Sequence, residues 1–135
     1  MTDAIVDVLA TVPLFAGLDR QRLTRLARDF RERTFDAGAQ VIREGDDHAM
    51  GFFIIAEGEA VVSIGGAERG RLGPGSYFGE VALIGDRVRT ATVTASTDLR
   101  CLVMMLTDFR AFVRGDADVA WNLLEHVGVL LHSQD

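Results

Sequence analysis

From Arg31 to Leu106 the chain is divided into short strand-like runs by turns that carry glycine. Arg31–Phe35 ends at Asp36-Ala37-Gly38, Gln40–Arg43 at Glu44-Gly45-Asp46, and Phe52–Ala56 at Glu57-Gly58. Ala60–Ile64 ends at Gly65-Gly66 and Glu68–Leu72 at Gly73-Pro74-Gly75, and two more runs follow at Thr90–Ala95 and Leu99–Leu106. Strand signals punctuated this regularly predict a small antiparallel sandwich or roll. Gly65-Gly66 and Gly73-Pro74-Gly75 read as hairpin turns, not as phosphate loops.

Helical patterns flank this region. In Asp19–Phe30 the apolar residues Leu23, Leu26, Ala27 and Phe30 recur on one helical face, with Asp19 placed as N-cap. Val12–Leu18 links that helix to a shorter one near Asp3–Leu9. Two helices close the chain, Thr107–Val113 and Asp116–His132, with Thr107 and Asp116 as the expected caps. The expectation is a single α+β domain over 1–135: helices in 1–30, a β-roll in 31–106, helices in 107–135. At 135 residues there is room for one core and little more.

Several function classes are disfavoured before any motif is considered. A net charge of −6 argues against a nucleic-acid surface, which carries a basic stripe. All fourteen basic side chains are arginine, so no phosphate-loop lysine, Schiff-base lysine or kinase lysine exists. No apolar stretch approaches a membrane span, and Met1–Ala10 carries acids in place of a basic signal-peptide head. The expectation is a cytoplasmic chain with no membrane insertion. Cys101 lies in an apolar run and reads as a buried inert thiol. His48, His126 and His132 have no metal-ligand spacing and read as surface or lid residues; Asp46-Asp47 reads as turn chemistry. Trp121 and Met104-Met105 read as packing residues. Without an H-x-H pair a metal-dependent jelly-roll enzyme is disfavoured, and the chain is expected not to be an enzyme.

The chemistry concentrates in Phe78-Gly79-Glu80-Val81-Ala82-Leu83-Ile84, a short loop, then Arg89-Thr90-Ala91-Thr92-Val93. Glu80–Leu83 allows one helical turn, whose first amides lack partners and suit an anion. Gly79 lets a ligand approach the backbone closely. Arg89 supplies the rigid positive fork that phosphate prefers, while Glu80, an acceptor, suits a ribose hydroxyl. A phosphate and a sugar hydroxyl held close together describe a nucleotide.

These residues resemble the phosphate-binding cassette of cyclic nucleotide-binding domains, whose pattern runs F-G-E-aliphatic-A-L-aliphatic, a loop, then R-[ST]-A-T-aliphatic. The resemblance extends through Pro13-Leu14-Phe15, Ala37-Gly38, Arg43-Glu44-Gly45-Asp46, Phe52-Phe53-Ile54, Glu57-Gly58 and Leu72–Tyr77. It implies a double-stranded jelly roll with its cassette at 78–93, and a cyclic nucleotide as ligand: cAMP, with cGMP as the second candidate. By the same resemblance Arg89 pairs with the cyclic phosphate, joined by the amides of Val81 and Ala82. Glu80 and the Gly79 backbone hold the ribose 2′-hydroxyl, and Thr90 bonds either the phosphate or a syn purine. Val62 and Ile64 are candidates for the wall under the base, and Leu130 or Leu131 for the lid.

Two positions depart from the family pattern. Val88 stands where proline is frequent, so the loop before Arg89 is expected to be less pre-organised. The final helix reads as short, and no helix-turn-helix, channel or kinase segment is expected after His132. The expected function is a ligand-gated regulatory module acting on a protein partner or effector in trans. The alternative is a protein-interaction module that keeps the roll without the ligand.

Overall fold

The computed structural model describes residues 2–133. Helix α1 (Thr2–Leu9), a 3-10 turn (Pro13–Phe15) and helix α2 (Arg20–Ala27) lead into the strands β1 (Phe30–Phe35), β2 (Gln40–Ile42), β3 (Gly51–Glu57), β4 (Ala60–Ile64), β5 (Ala67–Leu72) and β6 (Tyr77–Phe78). After β6 come the one-turn helix α3 (Glu80–Ile84), strands β7 (Thr92–Ala95) and β8 (Leu99–Met105), and helices α4 (Leu106–Gly115) and α5 (Ala117–Ser133). Two four-stranded antiparallel sheets form the roll, in the orders β1-β8-β3-β6 and β2-β7-β4-β5.

The central strands β3 and β8 explain why the sequence reads Phe-Phe-Ile-Ile and Cys-Leu-Val-Met without alternation: both of their faces are buried. On the outer face Phe52 pairs with Met104 and Ile54 with Leu102, and these pack under Val6, Leu9, Leu14, Leu26, Phe109 and Leu123 of the helices. On the inner face Phe53 pairs with Val103 and Ile55 with Cys101, and these join Phe78, Val93 and Leu99 between the sheets. Burial pushes the Cys101 thiol up to about 12, as expected of an inert packing residue.

Local chemistry sets most element ends. Asp19 caps α2, its Oδ1 accepting from the Arg22 amide at 2.8 Å. Asp116 caps α5, accepting from the amides of Asp118 and Val119 at 3.1 and 3.2 Å. At Gly58 the backbone is left-handed, φ 95°, and a Cβ would collide with the Asp98 carbonyl.

Four expectations need correction. Phe30 fits the α2 period but belongs to β1, because the chain turns at Arg28-Asp29; its ring is still buried, 3% exposed. Helix α4 starts at Leu106, not Thr107, and its cap position, Met105, makes no side-chain bond. Met105 itself is 45% exposed, unlike the fully buried Met104. Trp121 is 62% exposed: α5 turns Val119 and Leu123 inward, so the indole faces out.

Candidate ligand-binding site

The segment between β6 and β7 crosses from one sheet to the other, and Gly79 starts the crossing. Its φ of 92° is left-handed, and a Cβ there would meet both Arg89 Nη1 and the Gly51 carbonyl at 2.9 Å. Glycine is required twice over, for the turn and for the approach of the guanidinium.

Arg89 is clamped rather than solvated. Nη1 donates to the Gly79 carbonyl and Nη2 to the Gly51 carbonyl, both at 2.9 Å. The guanidinium carbon lies 5.9 Å from the centroid of Phe53, whose ring stacks on Phe78 at 5.0 Å. The Arg89 amide donates to the Asp46 carbonyl at 2.8 Å, and the Gly45 amide to the Arg89 carbonyl at 2.9 Å. The β2–β3 loop therefore fixes the residue by its backbone while Gly79 and Gly51 fix its head. Gly51 was missed by sequence reasoning. Its signal was a glycine at the start of a strand, which marks close approach of another group.

The loop before Arg89 is ordered by means other than proline. The Val88 amide donates to Asp86 Oδ1 at 3.0 Å, a bond a proline lacks. Arg87 sits at φ 68°, its amide donating to the Ala82 carbonyl at 2.9 Å and its Nε to the Ala49 carbonyl at 3.1 Å. From α4, Arg110 Nε reaches the Leu83 carbonyl at 3.0 Å, closing the end of α3.

Glu80 takes a direction the sequence did not indicate. Its carboxylate points to α5, where His126 Nε2 lies 3.1 Å from Oε1. Oε2 is buried and has no hydrogen-bond partner among the described residues. The imidazole packs on Tyr77, ring centroids 4.8 Å apart. Burial, aided by the Glu80 charge, raises the Tyr77 phenol well above its ordinary value. No local signal links Glu80 to a histidine so far along the chain.

The remaining predicted residues are spread around this centre. Val81 and Ala82 stand in the first turn of α3, where no earlier helical carbonyl is available to their amides. Val62 packs half-buried on the inner core, while Ile64 at the end of β4 does not join it. Thr90 is exposed, and Leu131 is 62% exposed on the outer side of α5. The side chains of Leu130 and His132 lie outside the described residues. Arg89 also lines a cleft of about 290 Å³ beside Ile42, Asp46, Phe53 and Val103, which Glu80 does not reach.

Among the described residues only two charged side chains are buried, Glu80 at 3% and Arg89 at 6% exposure. They are not paired with each other. Burial lowers the Arg89 pKa, and the charges of Asp46 and Glu80 offset this only in part. A buried cation whose side-chain hydrogen bonds go to carbonyls alone, with no carboxylate in contact among the described residues, attracts an anion.

Residues 32–116, more than half of the chain, match the family model described as the cyclic nucleotide-binding domain. The chain is similar to a cyclic nucleotide-gated potassium channel of Mesorhizobium japonicum, 36% identical over 84% of this chain and 31% of the channel. It is also similar to a cAMP-dependent protein kinase regulatory subunit of Eremothecium gossypii, 40% identical over 77% of this chain and 23% of the subunit. Among solved structures it resembles the regulatory domain of Toxoplasma gondii PKA with cAMP, with TM-score 0.84 and 25% identity over 94% of this chain and 49% of that one. The chain spans about a third or less of the curated relatives it matches here. It belongs to the cyclic nucleotide-binding domain family.

Proposed function

We propose that the chain binds cAMP in preference to cGMP and acts as a regulatory module without catalysis of its own. The observation that carries this is that, among the described residues, Arg89 and Glu80 alone of the charged side chains are buried, toward the two ends of the family cassette. Arg89 takes the cyclic phosphate, with the amides of Val81 and Ala82 completing the anion site. Glu80 takes the ribose 2′-hydroxyl, and its buried Oε2, which has no donor among the described residues, suits that hydroxyl. Val62 supplies apolar wall, and Thr90, exposed beside Arg89, reaches either phosphate or base. A charged nucleotide does not cross a bilayer unaided, so this reading puts the domain in the cytoplasm.

The output is a protein partner. Relatives in the family are parts of a channel and of a kinase regulatory subunit. Here α5 carries exposed Trp121 and Leu124 on its outer side, apolar surface of the kind a partner covers. A ligand moves such a module only by binding one arrangement better than the other.

Calorimetry with cAMP, cGMP and 5′-AMP tests the reading. We expect both cyclic nucleotides to bind, cAMP more tightly, and 5′-AMP to bind far more weakly. A neutral hydrogen bond from Thr90 to a guanine is worth about 0.5–1.5 kcal/mol, so Thr90→Ala should cost cGMP up to roughly tenfold and cAMP little. Equal losses for both ligands would move Thr90 to the phosphate. No heat with any nucleotide would defeat the proposal.

A further inference from the structure

The thioether of Met50 meets the cassette at its most constrained residue. Arg87, in the loop between α3 and β7, has a left-handed backbone, φ 68°, which is unfavourable for any residue with a Cβ. Bonds to its surroundings hold it there. Its amide donates to the Ala82 carbonyl at 2.9 Å, its carbonyl accepts from the Ala49 amide at 3.1 Å, and its Nε donates to the Ala49 carbonyl at 3.1 Å. Nη2 of the same guanidinium donates to Met50 Sδ at 2.9 Å. The residue after Met50, Gly51, supplies the carbonyl that holds Arg89 Nη2. Arg87 therefore staples the loop that carries Arg89 to the strand end that holds its head.

The sulfur end of that staple is open to solvent. Met50 is 45% exposed and lines the cleft of about 290 Å³, whereas Met104 is fully buried. The Met50 backbone is fixed, its carbonyl accepting from the Leu106 amide at 2.7 Å, so the side chain alone is free to respond. Thioethers react with peroxides to give sulfoxides. A sulfur lone pair attacks one peroxide oxygen, and the S–O bond forms as the O–O bond breaks. The departing hydroxide takes the proton of the transferred oxygen and leaves as water. Sulfur is oxidised, the peroxide is reduced, and Arg87 keeps its proton. Either sulfoxide epimer ends the contact. An oxygen on the lone pair that faces Arg87 needs about 2.7–3.2 Å from Nη2 to itself, the space the sulfur now fills. An oxygen on the other lone pair leaves a sulfur of positive partial charge against a cation.

We infer that Met50 is an oxidation site, with hydrogen peroxide as co-reactant, whose sulfoxide unfastens Arg87 and loosens the loop over 85–89. In the thioether form the loop is stapled; in the sulfoxide form it samples more arrangements, and Arg89 is held less well. Methionine sulfoxide reductases, one for each epimer, reverse the step. The effect on nucleotide affinity rests on the cyclic nucleotide reading above; the effect on the loop does not. Met105 supplies an internal comparison. It is also 45% exposed, lines the same cleft and pairs with Gly51, yet its side chain makes no hydrogen bond to the cassette among the described residues.

The test is a single hydrogen peroxide treatment, ended with catalase before any titration. Peptide mapping by mass spectrometry should find sulfoxide at Met50 and Met105 and none at Met104. In ligand-free protein, amide exchange over 85–89 should quicken on oxidation while the melting temperature changes little. Affinity for cAMP should fall about three- to tenfold, the range for a lost hydrogen bond, and recover after treatment with the reductases. Met105→Leu should show the same fall. Met50→Leu should change by less than about twofold on treatment, whatever its starting affinity, and Arg87→Ala should be equally indifferent. An equal fall in Met50→Leu, loss of the fall in Met105→Leu, or a lower melting temperature with no local change over 85–89 would overturn the inference and leave the nucleotide reading standing. If untreated wild type binds no cAMP, the nucleotide reading fails, and the exchange rates of wild type and Met50→Leu alone decide the role of Met50.

Discussion

Gly79 is where the smallest change has the largest expected effect. Its left-handed backbone alone makes an alanine cost roughly 1–2 kcal/mol. The added methyl would also press on Arg89 Nη1 and the Gly51 carbonyl, both 2.9 Å from where it would lie. The guanidinium would have to leave the position in which the Gly79 and Gly51 carbonyls hold it. Gly79→Ala should therefore melt at a lower temperature and bind cAMP at least about tenfold more weakly, tenfold being 1.4 kcal/mol. A thermal melt and a titration on one preparation check both halves. Gly58 makes a useful contrast: its Cβ would strike the Asp98 carbonyl, away from the cassette, so alanine there should lower the melting point more than it alters the site.

Among the elements, the strands were the most legible. Glycine turns bound β4 and β5 nearly as read, and the unbroken apolar runs of β3 and β8 follow from burial on both faces of one sheet. The two-residue strand β6 was not read, since Tyr77-Phe78 has no period and is fixed only by pairing with Phe53 and Ile54. Helix α5 misled for a different reason. Apolar residues lie on several of its sides, so periodicity could not choose a face, and Asn122 and His126 made the choice through distant partners. The motif positions Gly79, Glu80 and Arg89 were legible; their tertiary partners Gly51 and His126 were not. The docking of α5 also carries a pH signature. Burial raises the Asp116 carboxyl, but the Arg22 hydrogen bond and the Val119 amide outweigh it, and the net pKa is lowered. A lowered folded-state value stabilises the fold above the ordinary carboxylate range and is lost as pH falls through it. Between neutral pH and about pH 3, wild type should lose stability more steeply than Asp116→Asn below about pH 4. Parallel curves would remove Asp116 from the acid response.

At the scale of the molecule, two cores lie on opposite faces of one sheet, and among the described residues charge is buried only in the cassette between the sheets. The outer core joins the helices to the roll and the inner core fills the roll. Glu80 and Arg89 sit where the cassette crosses between sheets, each facing a different element: Arg89 the β2–β3 loop and the start of β3, Glu80 the last helix. In the proposed reading a phosphate would satisfy Arg89 and a sugar hydroxyl would claim Glu80, so one ligand would engage both. Among the described residues no other charged side chain is buried. In that reading Arg89 carries the larger part, because among the described residues it is the cation the fold buries without a carboxylate in contact. The most direct test is calorimetric titration of cAMP into wild type and Arg89→Ala, with Arg87→Ala as the neighbouring control. Truncating one partner of a desolvated charge pair costs about 2–5 kcal/mol, so Arg89→Ala should bind at least about thirtyfold more weakly while Arg87→Ala changes far less. Unchanged affinity in a folded Arg89→Ala protein would contradict the account.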